Sequence, residues 1–128
     1  MIKIYGIKNC NTMQKAFNWL NENNIDYEFH DYKKLGITVK NIKIWLKFYP
    51  IDLLINTKGT TFKKLSDSEK SACLVDDSGI LLMQQNTSMI KRPIVENESL
   101  LLLGFNDAEW EAKLLNRQKT LQKTKNSV

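Results

Sequence analysis

Apolar and polar residues alternate from the start of the chain. Ile2, Ile4 and Tyr5 around Lys3 give the two-residue period of a short strand, ended by Gly6. A polar loop follows, Ile7-Lys8-Asn9-Cys10-Asn11-Thr12, and then the period changes. Met13, Ala16, Phe17 and Leu20, with Trp19 alongside, recur at three- and four-residue spacing and predict a helix with one buried stripe. Asn9, Asn11 and Thr12 each suit its N-cap, and Asn23-Asn24 stops it. From Ile25 to Tyr32 the residues alternate again, which predicts a second strand with one covered face. Strand–helix–strand implies a parallel pair joined by a right-handed crossover.

The middle of the chain reads helical. Val39, Ile42, Ile44, Trp45, Leu46 and Phe48 form one amphipathic segment closed by Pro50, with Trp45, Phe48 and Tyr49 expected in a core. Phe62, Leu65, Ala72 and Cys73-Leu74 suggest further short helices. Gly79 to Met83 is helix or strand by periodicity alone, and the stretch before Arg92-Pro93 is expected to be helical. Ile94-Val95 then opens a strand, Asn97-Glu98 signals a turn, and Leu100 to Leu103 is a returning strand ended by Gly104. Asn106 or Asp107 caps a last helix that carries Trp110, Leu114 and Leu115 on its apolar side. The order βαβ, helical insert, ββα is the skeleton of an α/β, thioredoxin-like fold with an added helical lobe. The two ends must share one sheet, because neither has enough strands to be stable alone. The expected organisation is a single domain over residues 1–115, with its insert at about 36–90 and a frayed basic tail at 116–128.

Composition narrows the class without naming a function. The 128 residues are 42% hydrophobic and 26% charged, as in a globular protein. No apolar run reaches the roughly 18–20 residues that span a bilayer, and the first residues lack the pattern of a signal peptide, so no membrane contact and a cytoplasmic location are expected. The net charge of +5 suits an anionic partner, but Lys113, Arg117, Lys119, Lys123 and Lys125 near the C-terminus account for the excess. No aromatic residue follows Trp110, so direct nucleic-acid binding is not expected. His30, flanked by Tyr27, Phe29 and Tyr32, reads as a packed or surface residue, and Asp76-Asp77 as a solvated loop pair. The two cysteines are too far apart in sequence for a clustered metal site, and too few for a disulfide scaffold.

Of the two thiols, Cys10 carries the chemical signal. It lies between a strand and the first turn of a helix, where unpaired amides and the positive end of the helix dipole favour an anion. At an ordinary pKa near 8.5 about 3% of a thiol is ionised at neutral pH. Helix N-termini bring thiol pKa values to about 3.5–7.5, and Lys8 adds a nearby cation. Cys73 reads instead as a buried apolar side chain. The residue three after Cys10 is Met13, so no local Cys-x-x-Cys disulfide can form, and turnover requires an external thiol or the distant Cys73.

Four motifs in register carry a family resemblance: Tyr5-Gly6-Ile7-Lys8-Asn9-Cys10-Asn11-Thr12, His30-Asp31-Tyr32-Lys33-Lys34, Leu54-Ile55-Asn56-Thr57-Lys58-Gly59-Thr60-Thr61, and Ile90-Lys91-Arg92-Pro93-Ile94-Val95. Together, over residues 1 to about 115, they resemble the ArsC family, most of all its YffB branch, with the Spx regulators as more distant relatives. The resemblance implies a nucleophilic Cys10 and an Arg92 that projects toward it, before a proline, Pro93, that is typically cis in thioredoxin-like folds. Lys8, Asn11, Thr12, Lys58, Arg92 and Pro93 are then the expected substrate-binding residues.

Two departures from the family pattern bear on substrate. Lys58 stands where the family usually has arginine, which keeps the charge but loses the bidentate fork. The stretch after the hairpin, Gly104-Phe105-Asn106, lacks the further arginine of arsenate reductases. The implied function is therefore a monothiol oxidoreductase with no bound cofactor or metal, acting as a monomer on a small thiol or oxyanion with glutathione or a similar thiol as co-substrate. Arsenate reduction is one alternative. The other is a non-catalytic, Spx-like regulator that contacts RNA polymerase, although Met13 removes the Cys-x-x-Cys switch typical of those regulators.

Overall fold

A computed structural model describes residues 1–115, and the expected tail at 116–128 lies outside the described residues. Four strands form one mixed sheet: β1 (Ile2–Gly6), β2 (Tyr27–Asp31), β3 (Ile94–Asn97) and β4 (Leu100–Leu103), in the order β2-β1-β3-β4. β1 runs parallel to β2 and antiparallel to β3, and β3 and β4 form the hairpin. The helix α1 (Asn11–Glu22) makes the crossover between the parallel strands. This is the α/β, thioredoxin-like arrangement that the element order implies.

Alternation along the strands divides the apolar residues into two cores. Ile2 and Ile4 of β1, Val95 of β3 and Leu102 of β4 face α1 and the C-terminal helix, where Met13, Ala16, Leu20, Trp110 and Leu114 cover them. Tyr5, Ile94 and Leu101 face the opposite way, into the helical lobe. A sheet covered on both faces needs apolar residues on both, and that is how these strands read. Phe17 of α1 stacks on Tyr27, with ring centroids 5.6 Å apart, and meets Phe29 edge-on at 5.0 Å. The α1 stripe thus packs as its spacing predicts.

The lobe is a set of short helices: α2 (Tyr32–Leu35), α3 (Val39–Trp45), α4 (Ile51–Leu54), α5 (Thr60–Lys63), α6 (Asp67–Cys73) and α7 (Asp76–Gln85). A polar network ties it to the sheet. Glu96 of β3 accepts from Trp45 Nε1 at 2.6 Å and from Tyr5 Oη at 3.0 Å, while Asn41 Nδ2 donates to Tyr5 Oη at 3.2 Å. Burial, and then the charge of Glu96, push the Tyr5 phenol well above its ordinary pKa, so it stays a neutral donor.

Several expectations are corrected. β2 begins at Tyr27 and ends at Asp31, whose carboxylate accepts from Lys33 N at 2.9 Å and turns the chain into α2. Gly79 to Met83 is helical, within α7, and Asp76-Asp77 occupies the exposed first turn of that helix rather than a loop. Acidic side chains suit that position because they face the positive end of the dipole. Ile44 and Phe48 stay partly exposed while Ile42 and Trp45 are buried, because α3 ends at Trp45 and the short helix offers the core only one face. The hairpin turns at Glu98, with φ of 54°, as the Asn97-Glu98 signal predicts. Asn106 caps α8 (Asp107–Trp110) by accepting from Glu109 N at 2.9 Å.

The largest correction concerns the residues before Arg92. Only Thr87–Met89 is helical, as a single 3-10 turn; Ile90 is extended and pairs with Ile55 in an isolated antiparallel bridge. Asn56 N donates to Met89 O at 2.7 Å and Lys91 N to Leu54 O at 2.8 Å. These bonds satisfy backbone groups that a helix would otherwise pair internally. They also bind the Asn56-Thr57-Lys58-Gly59 turn to the segment that leads into Arg92.

Candidate active site

Cys10 is itself the N-cap of α1, with extended φ/ψ of −147° and 131°, so the expected caps Asn9, Asn11 and Thr12 do not hold that position. An N-cap side chain faces the amides of the second and third helical residues. Here those are Thr12 and Met13. The sulfur closes no capping bond as it stands. Burial pushes its pKa up, but the Met13 amide, the Arg92 side chain and the Thr12 amide, together with the charge of Arg92, outweigh burial and hold it below the ordinary thiol value. The thiol is half-buried and free, so a reagent can reach it.

Met13 has two roles. Its side chain is fully buried against the end of β1, where a Cβ at Gly6 would run into its Sδ and Cε atoms. Gly6 therefore permits the close approach that seats the first turn of α1 over the strand, and the same seating aims the Met13 N–H at Cys10. The sequence points to Asn11 and Thr12 as binding residues but does not single out the Met13 amide. The signal was there: with Cys10 as N-cap, the amide three residues on is the one expected to face it.

Arg92 enters from the other half of the chain. The Arg92–Pro93 peptide bond is cis, and Pro93 is buried at the foot of β3. The guanidinium is held from behind, where Nη1 donates to Ser88 O at 3.2 Å, and Ser88 Oγ lies 3.1 Å from Thr61 Oγ1 of α5. Its Nε is buried with no acceptor among the described residues. A buried donor without a partner costs about 1–3 kcal/mol, so this one is poised for an acceptor that a ligand could bring. Tyr32 Oη, also buried without a partner, lies within the electrostatic reach of Arg92.

The structure brings Cys10, Thr12 and Arg92 together. Asn11 is exposed on the first turn of α1. Lys8 is exposed and lines a separate cleft of about 240 Å³ with Phe29, Asp31, Lys34 and Leu35. Lys58 stands exposed on the turn that is bonded to Met89. His30 is packed, with its Nε2 2.7 Å from Gly36 O and its ring 4.8 Å from that of Tyr5. Cys73 belongs to the lobe core and is fully buried, and burial, followed by the charge of Glu69, raises its pKa. What the site can do is hold a nucleophilic thiolate beside a fixed cation with a spare donor.

Known proteins share this sequence pattern and fold. A family model for the ArsC family matches residues 5–113. A solved structure of the YffB protein superposes with a TM-score of 0.84 at 39% identity, covering 89% of this chain and 99% of that one. An arsenate reductase (ArsC) related protein from Brucella melitensis is 45% identical, with a TM-score of 0.71, over 88% of this chain and 92% of its own. The global transcriptional regulator Spx of Staphylococcus haemolyticus is 30% identical over 95% of this chain and 93% of its own length.

Proposed function

This chain belongs to the ArsC family, and from that membership we propose that it is a thiol-dependent monothiol reductase whose nucleophile is Cys10. The observation that carries the reading is the convergence of the Met13 and Thr12 amides and Arg92 on one accessible sulfur. In the proposed cycle the Cys10 thiolate attacks the glutathione sulfur of a mixed disulfide. The substrate's S–S bond breaks, its thiol leaves as thiolate and takes a proton from water, and Cys10 becomes glutathionylated. A second glutathione thiolate then attacks that adduct, releasing glutathione disulfide and restoring the Cys10 thiolate. The net reaction consumes one glutathione thiol per mixed disulfide: the substrate leaves as a free thiol, and its glutathione leaves joined to the second one as glutathione disulfide.

Glutathione is a carboxylate-bearing thiol, and Arg92, with its unpartnered Nε, suits such an anion. Lys8 and Lys58 are the cations on neighbouring loops that would complete its binding, with the Thr12 and Met13 amides beside the sulfur. No second thiol is needed, and the burial of Cys73 supports an external resolving thiol.

The test is intact-mass analysis after incubation with glutathione disulfide. One glutathione adduct is expected on the wild-type chain, and none on Cys10→Ala. An adduct that survives in that variant, or none in either, defeats the proposal. The similarity to Spx regulators favours a second reading, a regulator that contacts RNA polymerase without catalysis. Recovery of polymerase by Cys10→Ala from a lysate, together with no glutathione adduct on the wild type, would favour it.

A further inference from the structure

The helical lobe leaves uncovered several apolar side chains that its own pattern assigns to a core. Beside the buried Ile42 and Trp45, Ile44 keeps 40% of its surface exposed. On α7, Ile80 and Met83 face inward and Leu81 is 53% exposed. α3 and α7 pack side by side. Two adjoining depressions on this side of the lobe share Val39 and Lys43. One, of about 600 Å³, is bounded also by Lys40, Ile44 and Lys47; the other, of about 200 Å³, by Asp77, Ile80 and Leu81.

Lys40, Lys43 and Lys47 recur at three- and four-residue spacing, and all are exposed. The lining therefore combines apolar Val39, Ile44, Ile80 and Leu81 with the lysines Lys40, Lys43 and Lys47. None of these residues takes part in the Cys10–Arg92 constellation.

We infer that this groove docks an acidic amphipathic helix of another protein. Its apolar side chains seat against Val39, Ile44 and Leu81, and its carboxylates meet the Lys40–Lys43–Lys47 row. Charge complementarity selects this occupant over the others. A second copy of the chain would set two lysine rows against each other. The chain's own C-terminal segment, with Arg117, Lys119, Lys123 and Lys125, carries the same sign as the row and offers it no complementary charge. Asp77 shares the smaller depression with Lys43, but one carboxylate against three lysines leaves the groove positive. The recess also suits a rod-like segment better than a flat anionic membrane.

The full chain and a fluorescein-labelled peptide test this, the peptide having leucine at i, i+3, i+4 and i+7 and glutamate elsewhere. Fluorescence anisotropy is expected to report saturable binding that falls with added salt. Lys43→Glu and Ile44→Ser should each weaken it about tenfold, while the Cys10 alkylation rate stays unchanged. In the wild type, peptide-induced amide shifts should cluster at residues 39–47 and 76–81. The same peptide with lysine for glutamate is the charge control, and vesicles of phosphatidylglycerol and phosphatidylcholine are the membrane control. Absence of binding, equal binding of the two peptides, or shifts centred elsewhere would overturn the assignment. So would co-sedimentation with vesicles in the absence of peptide binding.

Discussion

Cys10 and Cys73 stand at opposite ends of helices. Cys10 caps the start of α1, with the Met13 and Thr12 amides and the Arg92 guanidinium turned toward it. Cys73 is the last residue of α6, at the end where unpaired carbonyls and the negative pole of the dipole disfavour a thiolate. One is half-open to solvent; the other is sealed in the lobe core, where Glu69 raises its pKa further after burial. The same side chain is thus favoured to ionise in one place and is a small hydrophobe in the other. Position relative to the helix, and the charge that tertiary contacts bring, decide which.

The sharpest way to break this contrast is to remove each thiol in turn. Under the proposed function, Cys10→Ser lowers glutathione-dependent reduction by at least about a thousandfold, whereas Cys73→Ser leaves it nearly unchanged. Comparable losses in steady-state assays of both variants would dissolve the distinction.

The wall around Cys73 can be tested through Gly79. A Cβ there would run into the Cys73 carbonyl oxygen and Ile51 Cδ1. In an open helix, Gly→Ala gains about 1 kcal/mol. Here Gly79→Ala is expected to cost about 1–3 kcal/mol in urea unfolding, since backbone cannot step aside. A gain in stability would show that the packing is loose.

Arg92→Gln removes the cation beside Cys10, and the alkylation midpoint should rise toward the ordinary thiol value. The rate at neutral pH should fall roughly tenfold, as for loss of a charge-assisted hydrogen bond. Arg92→Lys should recover part of it. An unchanged midpoint in Arg92→Gln would leave the helix amides as the only cause.

The smallest effect is one of linkage. The Cys10 pKa is lowered on folding, so its contribution to stability grows as pH rises through the folded value and is complete above the unfolded value of about 8.5. The Cys73 pKa is raised, so its contribution is whole below about 8.5 and is lost as pH climbs toward the folded value. Unfolding titrations of the two serine variants should therefore diverge from the wild type with opposite slopes above neutral pH. Parallel slopes would mean that the two environments are alike.

Much of this was determined by sequence alone. Period two identifies β1, period 3.6 identifies α1, and short apolar runs bounded by turn residues identify the β3–β4 hairpin, because a strand covered on both faces is apolar on both. The place of Cys10 before a helix is equally local. Tertiary structure decided the rest. Periodicity does not show that Ile90 leaves the helical pattern to pair with Ile55, because that choice is made by a partner 35 residues away. Nor does it show that Ile44 stays outside while Ile42 goes in, because a short helix buries whichever face its neighbours happen to cover. The candidate site has both characters: its sulfur and amides are neighbours in sequence, but its arginine arrives only when the two halves of the chain close into one sheet, since a cation can stabilise a thiolate only across a few ångströms of space.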